Sequence, residues 1–186
     1  MDRRPRKTRH ALQGALLRLL TQRPWEEIDV QTLCNDANVG RSTFYEHYQN
    51  REALLLEAFS EIGAGFSKAG IKWGHHGPAT LTFLAPMMDH IQQQRIVFRA
   101  LLGKRSNAYV RQQFQSMLVL LIHAGLEPYQ FCPKWRGELL AHAIGGAVFA
   151  SIHWWVATND PRRAEDITAL IDAQAKAMLR ETIDRV

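Results

Sequence analysis

Apolar residues in this chain recur every three or four positions, from Leu12 near one end to Met178 near the other. That period gathers them on one face of an α-helix, whereas a half-buried strand would alternate residue by residue. A chain patterned this way buries its apolar surface by packing helix on helix. No segment alternates convincingly, so the sequence predicts an all-α protein. Residues 1–50 read as a small unit of three helices and residues 51–186 as a larger helical bundle.

The first helix carries Leu12, Ala15, Leu16, Leu19 and Leu20 on one face and closes at Pro24. Asp29 is placed to cap a second helix, whose apolar positions are Val30, Leu33, Cys34 and Ala37. Asn38-Val39-Gly40 interrupts it, Asn tolerating the left-handed conformation better than most residues. A short helix Arg41 to Tyr48 follows, and Asn50 is placed to cap the next, with Leu54, Leu55, Ala58, Phe59 and Ile62. The Gly-rich stretch Gly63 to Gly77 reads as a break. Further helices are expected over Pro78 to Gln94 with a kink at Pro86, Arg95 to Leu102, Asn107 to Ala124 and Lys134 to Thr158. Asp160-Pro161 suits the start of a last helix running to about Thr182.

With 46% apolar and 22% charged residues in 186, disordered and disulfide-scaffold classes are excluded. Cys34 and Cys132 stand in apolar sequence without metal-site spacing, and His75-His76 lie together in the Gly-rich stretch. No metal site or cofactor is expected. Arg18 interrupts the only leucine-rich run near the N-terminus, so a secretory leader is not expected. Leu139 to Ala157 is nearly long enough to span a bilayer, but His142 and His153 within it favour a buried helix of a cytoplasmic protein with no membrane partner. The net charge of +5 sits mostly in one place, because Arg3, Arg4, Arg6, Lys7 and Arg9 face only Asp2. Such an arm either enters a DNA minor groove or acts as a solvated tail that attracts DNA by releasing counterions.

Two short helices joined by a tight turn under a first helix make a helix-turn-helix. Phe44 and Tyr48, one turn apart, join the Leu33, Ala37 and Val39 cluster. Arg41, Ser42 and Tyr45 then face outward. Arg can fork onto guanine, hydroxyls can bond phosphates, and a ring can meet a thymine methyl. A helical protein-interaction module would not need that face. Neither a Gly-rich phosphate loop, a nucleophile elbow nor a catalytic carboxylate pair is present, so an enzyme is not expected.

The run Ile28-Asp29-Val30-Gln31 to Thr43-Phe44-Tyr45-Glu46-His47-Tyr48, ending Asn50-Arg51-Glu52-Ala53-Leu54, resembles the DNA-binding domain of TetR-family transcriptional regulators. The resemblance covers about Arg4 to Leu56 and extends less specifically to Arg95–Leu102 and the Trp154-Trp155 helix. It departs at Asn38, where the family usually has Gly. It implies phosphate contacts from Thr43, Tyr45, His47 and Arg51, and base reading by Arg41, Ser42 and Gln31, with Tyr45 also able to touch a base. Arg3, Arg4 and Arg6 are candidate contacts from the arm. Glu46 reads as a solvated flank and Phe44 as core.

The resemblance further implies a regulator, a repressor by expectation, that grips double-stranded operator DNA as a homodimer and is released by a small-molecule effector. For the two-fold interface the candidates are the small-residue stripe Ala143, Gly146, Ala147 and Ala150 with Trp154, together with Ile167, Leu170, Ile171, Gln174 and Met178 of the last helix. For an effector cavity they are Phe83, Met87, Phe98, Phe114, Met117, Trp135, His142, Phe149 and His153.

Overall fold

The computed structural model describes residues 3–67, 71–72, 80–103, 107–127, 133–158 and 160–183. Cys132, His75 and His76 lie outside the described residues, as do the side chains of Arg3 and Arg4. The helices are α1 (Arg3–Gln22), α2 (Val30–Ala37), α3 (Arg41–His47), α4 (Arg51–Ser67), α5 (Leu84–Gln93), α6 (Arg95–Leu102), α7 (Ala108–Leu126), α8 (Trp135–Thr158) and α9 (Ala164–Ile183). The all-α reading therefore holds. Helices α1 to α3 form a head, α5 to α9 a body, and α4 leads from one to the other.

In the head, Leu12, Leu16, Leu33 and Phe44 are fully buried around one centre. The local signals act as expected. Asp29 accepts from the Thr32 N–H at 2.7 Å, and Asn50 accepts from the Ala53 N–H at 2.8 Å. Asn38 takes φ 53° and ψ 47°, ending α2. Its N–H reaches the Asn35 carbonyl and the Val39 N–H reaches the Cys34 carbonyl at 2.9 Å, the paired bonds of a Schellman turn. Asn38→Ala should destabilise the head by about 1 kcal/mol, because a Cβ without a local polar partner is strained in that conformation. Asn38→Gly should not destabilise it. Urea midpoints of the two variants check this; equal losses would show that the turn is not what Asn38 provides.

The body is layered on α8. Its buried face includes Leu140, Ile144, Val148, Ile152 and Trp155, packed against α6, α7 and α9. At Gly145 a Cβ would stand 2.7 Å from Val119 Cγ2, so this glycine lets α7 and α8 approach closely. Trp155 pins the far end: Arg95 lies 4.4 Å above its ring, and its indole N–H donates to the Arg162 carbonyl at 3.1 Å.

Several boundaries differ from expectation. The basic run from Arg3 is the first part of α1 rather than a tail. Helix α4 runs through Gly63 and Gly65 to Ser67, so the expected break begins later. Gly63 is buried with Met117 Cγ 3.1 Å from where a Cβ would stand, and close packing outweighs the ~1 kcal/mol that a helical glycine costs. Ile71–Lys72 pair antiparallel with Thr80–Leu81, strands too short to show alternation. Pro86 is the third residue of α5, where its missing N–H would have no acceptor within the helix, and so it does not kink the chain. Helix α9 starts at Ala164 instead of Pro161. Asp160 caps only the Arg162 N–H, while Asp166 accepts from Arg163 and Gln92 of α5 accepts from Ala164 at 2.6 Å. A tertiary cap thus sets where α9 begins.

Candidate nucleic-acid interface

Helix α3 is short enough that its two faces are set by two rings. Phe44 is fully buried and Tyr48 is 3% exposed, their rings 5.7 Å apart. Burial, with Glu57 close by, raises the Tyr48 phenol far above its ordinary range and keeps it neutral. With those rings inward, Arg41 and Tyr45, one turn apart, project to solvent beside Ser42, and Tyr45 is 51% exposed. The Tyr45 ring rests edge-on against Phe44 at 5.5 Å, so the exposed phenol is held by the core beneath it.

Thr43 and His47 are half-buried on the flanks of this face, and Glu46 is exposed. Gln31 is exposed on α2 and donates to Asn35 Oδ1 at 2.8 Å. Arg6 is exposed near the start of α1. Arg41 stands near Asp29, whose carboxyl is held below the ordinary carboxylate range by the Thr32 hydroxyl and N–H, with Arg41 and Arg51 adding to the effect.

Arg51 corrects the expected phosphate contact. Its guanidinium lies 4.4 Å over the Trp25 ring, donates to the Trp25 and Ile28 carbonyls and pairs with Glu52 at 3.0 Å. It closes the head from within, a use of Arg that its planar fork favours. Arg51→Met should destabilise the head by about 1–3 kcal/mol, because the Ile28 carbonyl loses its guanidinium partner while the Trp25 carbonyl keeps only the Ile28 N–H. An unchanged melting temperature would return Arg51 to the surface role.

Sequence reasoning missed the turn Trp25–Glu27, a 3-10 helix between α1 and α2. Trp25 is 5% exposed, stacks on Tyr109 of α7 at 6.2 Å, and carries Arg51 on its ring. Glu26 accepts from Asn107, the residue that also caps α7 by accepting from the Tyr109 N–H at 2.6 Å. This turn is the joint between head and body. Its partners are remote in sequence, so no local pattern marks it.

The candidate cavity residues divide. Phe83, Met87, Phe98 and Phe114 are buried in a filled core, with Phe59, Phe98 and Phe149 each about 6 Å from Phe114. Met117 borders a cleft of about 500 Å³ between α4 and α7, beside Leu56, Phe59 and Ser60. Phe149 and His153 stack at 5.8 Å and are half-buried. Trp135 and His142 do not share a cavity with them. Trp135 is 57% exposed, and both line an outward groove with Leu139 and His123. The reason is the helical period: they stand opposite the buried face of α8.

The same period groups the interface candidates. Ala143, Ala150 and Trp154 are exposed along α8, with Gly146 and Ala147 half-buried. Leu170 and Gln174 are exposed on α9 and Met178 is half-buried. Ile167 and Ile171, only 6% and 3% exposed, are corrections. They point into the chain's own core, where α9 packs on α5 and α8.

Residues 14–58 match the family described as bacterial regulatory proteins, tetR family. An uncharacterized HTH-type transcriptional regulator of Bacillus subtilis (strain 168), YxbF, is 41% identical over 56 residues. That stretch is 30% of this chain and 15% of that protein, so the chain spans a small part of that relative's length. A TetR transcriptional regulator from Streptococcus agalactiae 2603V has a similar structure, with TM-score 0.66 and 24% identity, covering 94% of this chain and 97% of that one. NalD, the secondary repressor of the MexAB-OprM multidrug efflux pump in Pseudomonas aeruginosa, aligns with TM-score 0.58 and 15% identity, covering 97% and 96%.

Proposed function

We propose that the chain, whose residues 14–58 match the tetR family of bacterial regulatory proteins, is a DNA-binding transcriptional regulator and a repressor acting as a homodimer on a palindromic operator. The outward pair Arg41 and Tyr45, held by Phe44 and Tyr48 beneath, carries this reading. Ser42 and Gln31 assist base reading, and Thr43 and His47 hold phosphates. Helix-turn-helix dimers place their recognition helices about 34–36 Å apart, one turn of DNA. The exposed small residues of α8 and the outward face of α9 supply the two-fold contact. A small-molecule effector in the body favours a head spacing that no longer fits the operator, weakening DNA binding only by its differential affinity for the two states. The protein works in the cytoplasm, where its operator lies.

Selection of genomic fragments by the purified protein tests this reading. The expected result is a palindrome with half-sites one helical turn apart. Recovery of fragments without a shared half-site would overturn it.

Arg6 tests the arm. Because α1 begins at Arg3, a contact there comes from the start of a helix. Arg6→Ala should reduce the slope of log affinity against log salt by about 0.9 per half-site, the value for one lost phosphate contact. An unchanged slope removes Arg6 from the interface.

A further inference from the structure

Head and body do not meet flush. A cleft of about 550 Å³ opens between them, with the end of α1 and the Trp25 turn on one side and α6 and the start of α7 on the other. Its floor is apolar: Leu20, Trp25 and Val110 are 7%, 5% and 1% exposed. Its rim is cationic, because Arg23 and Arg99 line opposite walls and both are exposed. Among the described residues neither pairs with a carboxylate, and no Asp or Glu lines the cleft.

Those features select a ligand chemistry. The volume is that of a small-molecule site. An inorganic anion would leave the floor without an apolar partner, and a neutral hydrocarbon would draw nothing from the two solvated guanidinium groups on the rim. A molecule with one apolar part and one carboxylate satisfies both, and guanidinium binds carboxylate with charge-assisted hydrogen bonds. We propose that the head–body cleft binds an amphipathic monocarboxylate, its apolar part on Leu20, Trp25 and Val110 and its carboxylate towards Arg23 and Arg99. The occupant touches both head and body, and Trp25 is also the residue stacked on Tyr109 at the joint. Binding there therefore favours one head-to-body geometry over others. Its role as the effector site rests on the regulatory reading above, whereas binding itself needs only the cleft.

The test uses octanoate and 1-octanol, matched in chain and differing in charge, titrated into the full-length protein without DNA. The indole N–H signal of Trp25, assigned by its loss in Trp25→Phe, reports occupancy. Octanoate is expected to shift that signal and to bind about tenfold more tightly than octanol, the ratio expected for one charge-assisted hydrogen-bonding group. In the double variant Arg23→Gln, Arg99→Gln the preference should disappear while the melting temperature stays put, both residues being exposed. Ala100→Phe, which fills the cleft from α6, should weaken both probes. An unmoved Trp25 signal, equal affinity for the two probes, or a preference that survives the double variant would each overturn the site. Operator binding is measured separately on ligand-free protein. Its failure would sink the regulatory reading and leave the octanoate result standing, and octanoate failure with intact operator binding would sink the cleft alone.

Discussion

Phe44→Ala should lower the stability of the head by about 3–5 kcal/mol, the range for truncating a buried Phe, while its neighbour Tyr45→Ala leaves stability nearly unchanged. The two residues are adjacent on α3 and chemically alike, yet one is fully buried and the other is 51% exposed. Phe44 contacts Tyr45 and Tyr48 and sits in the core formed by Leu12, Leu16 and Leu33. Its loss leaves a cavity where the turn between α2 and α3 must pack. Tyr45 rests edge-on against that ring and is half open to solvent, so its removal should act on DNA instead. Loss of the phenol and ring should weaken operator binding by about 1–3 kcal/mol per half-site, the worth of a good groove contact. Thermal melts with and without operator separate the outcomes. If both variants melt alike, the faces of α3 are assigned wrongly, and with them the carrying observation for function.

The second large effect concerns assembly. Ala150→Glu should leave a folded monomer with little operator affinity. Ala150 is exposed on the small-residue stripe of α8, one turn after Gly146 and one turn before Trp154. In a two-fold contact each residue meets its own copy or a near neighbour, so one substitution places two carboxylates in one interface. Burying unpaired like charges costs several kcal/mol, enough to separate a modest dimer. The fold should survive, since Ala150 contributes nothing to the chain's own core. Sedimentation equilibrium reads the mass, and melting at low protein concentration reads the fold. A dimer of unchanged strength would move the interface away from α8.

The caps show what was legible locally. Asp29, Asn38, Asn50 and Asn107 act on groups a few residues away, and the sequence places a helix end at each of them. The recognition face was legible for the same reason, because inward Phe44 and Tyr48 and outward Arg41 and Tyr45 follow from the period of a single helix. Where a helix end depends on a distant partner the reading failed. The start of α9 is decided by Gln92 on α5, and the passage of α4 through Gly63 is decided by Met117 on α7.

Arg51 and the long helix α8 make the same division sharper. That Arg51 is cationic and stands near the head was plain from the chain, but a phosphate outside and the Trp25 ring with two carbonyls inside are both good partners for a guanidinium. Only the folded arrangement chooses. On α8 the spacing of Trp135, His142, Phe149 and His153 marks one stripe without saying which way it faces; packing of the opposite stripe on α6, α7 and α9 leaves Trp135 and His142 outward, while Phe149 and His153 are half-buried and Phe149 lies against Phe114. The sequence by itself determined the helices, the head motif and the face of α3, because those depend on periodicity and on hydrogen bonds within a few residues. The tertiary structure alone decided the joint at Trp25, the inward commitment of Arg51, Ile167 and Ile171, and the cleft between head and body. Each of these depends on surfaces that folding brings together from remote parts of the chain, and no local pattern encodes which surface will arrive.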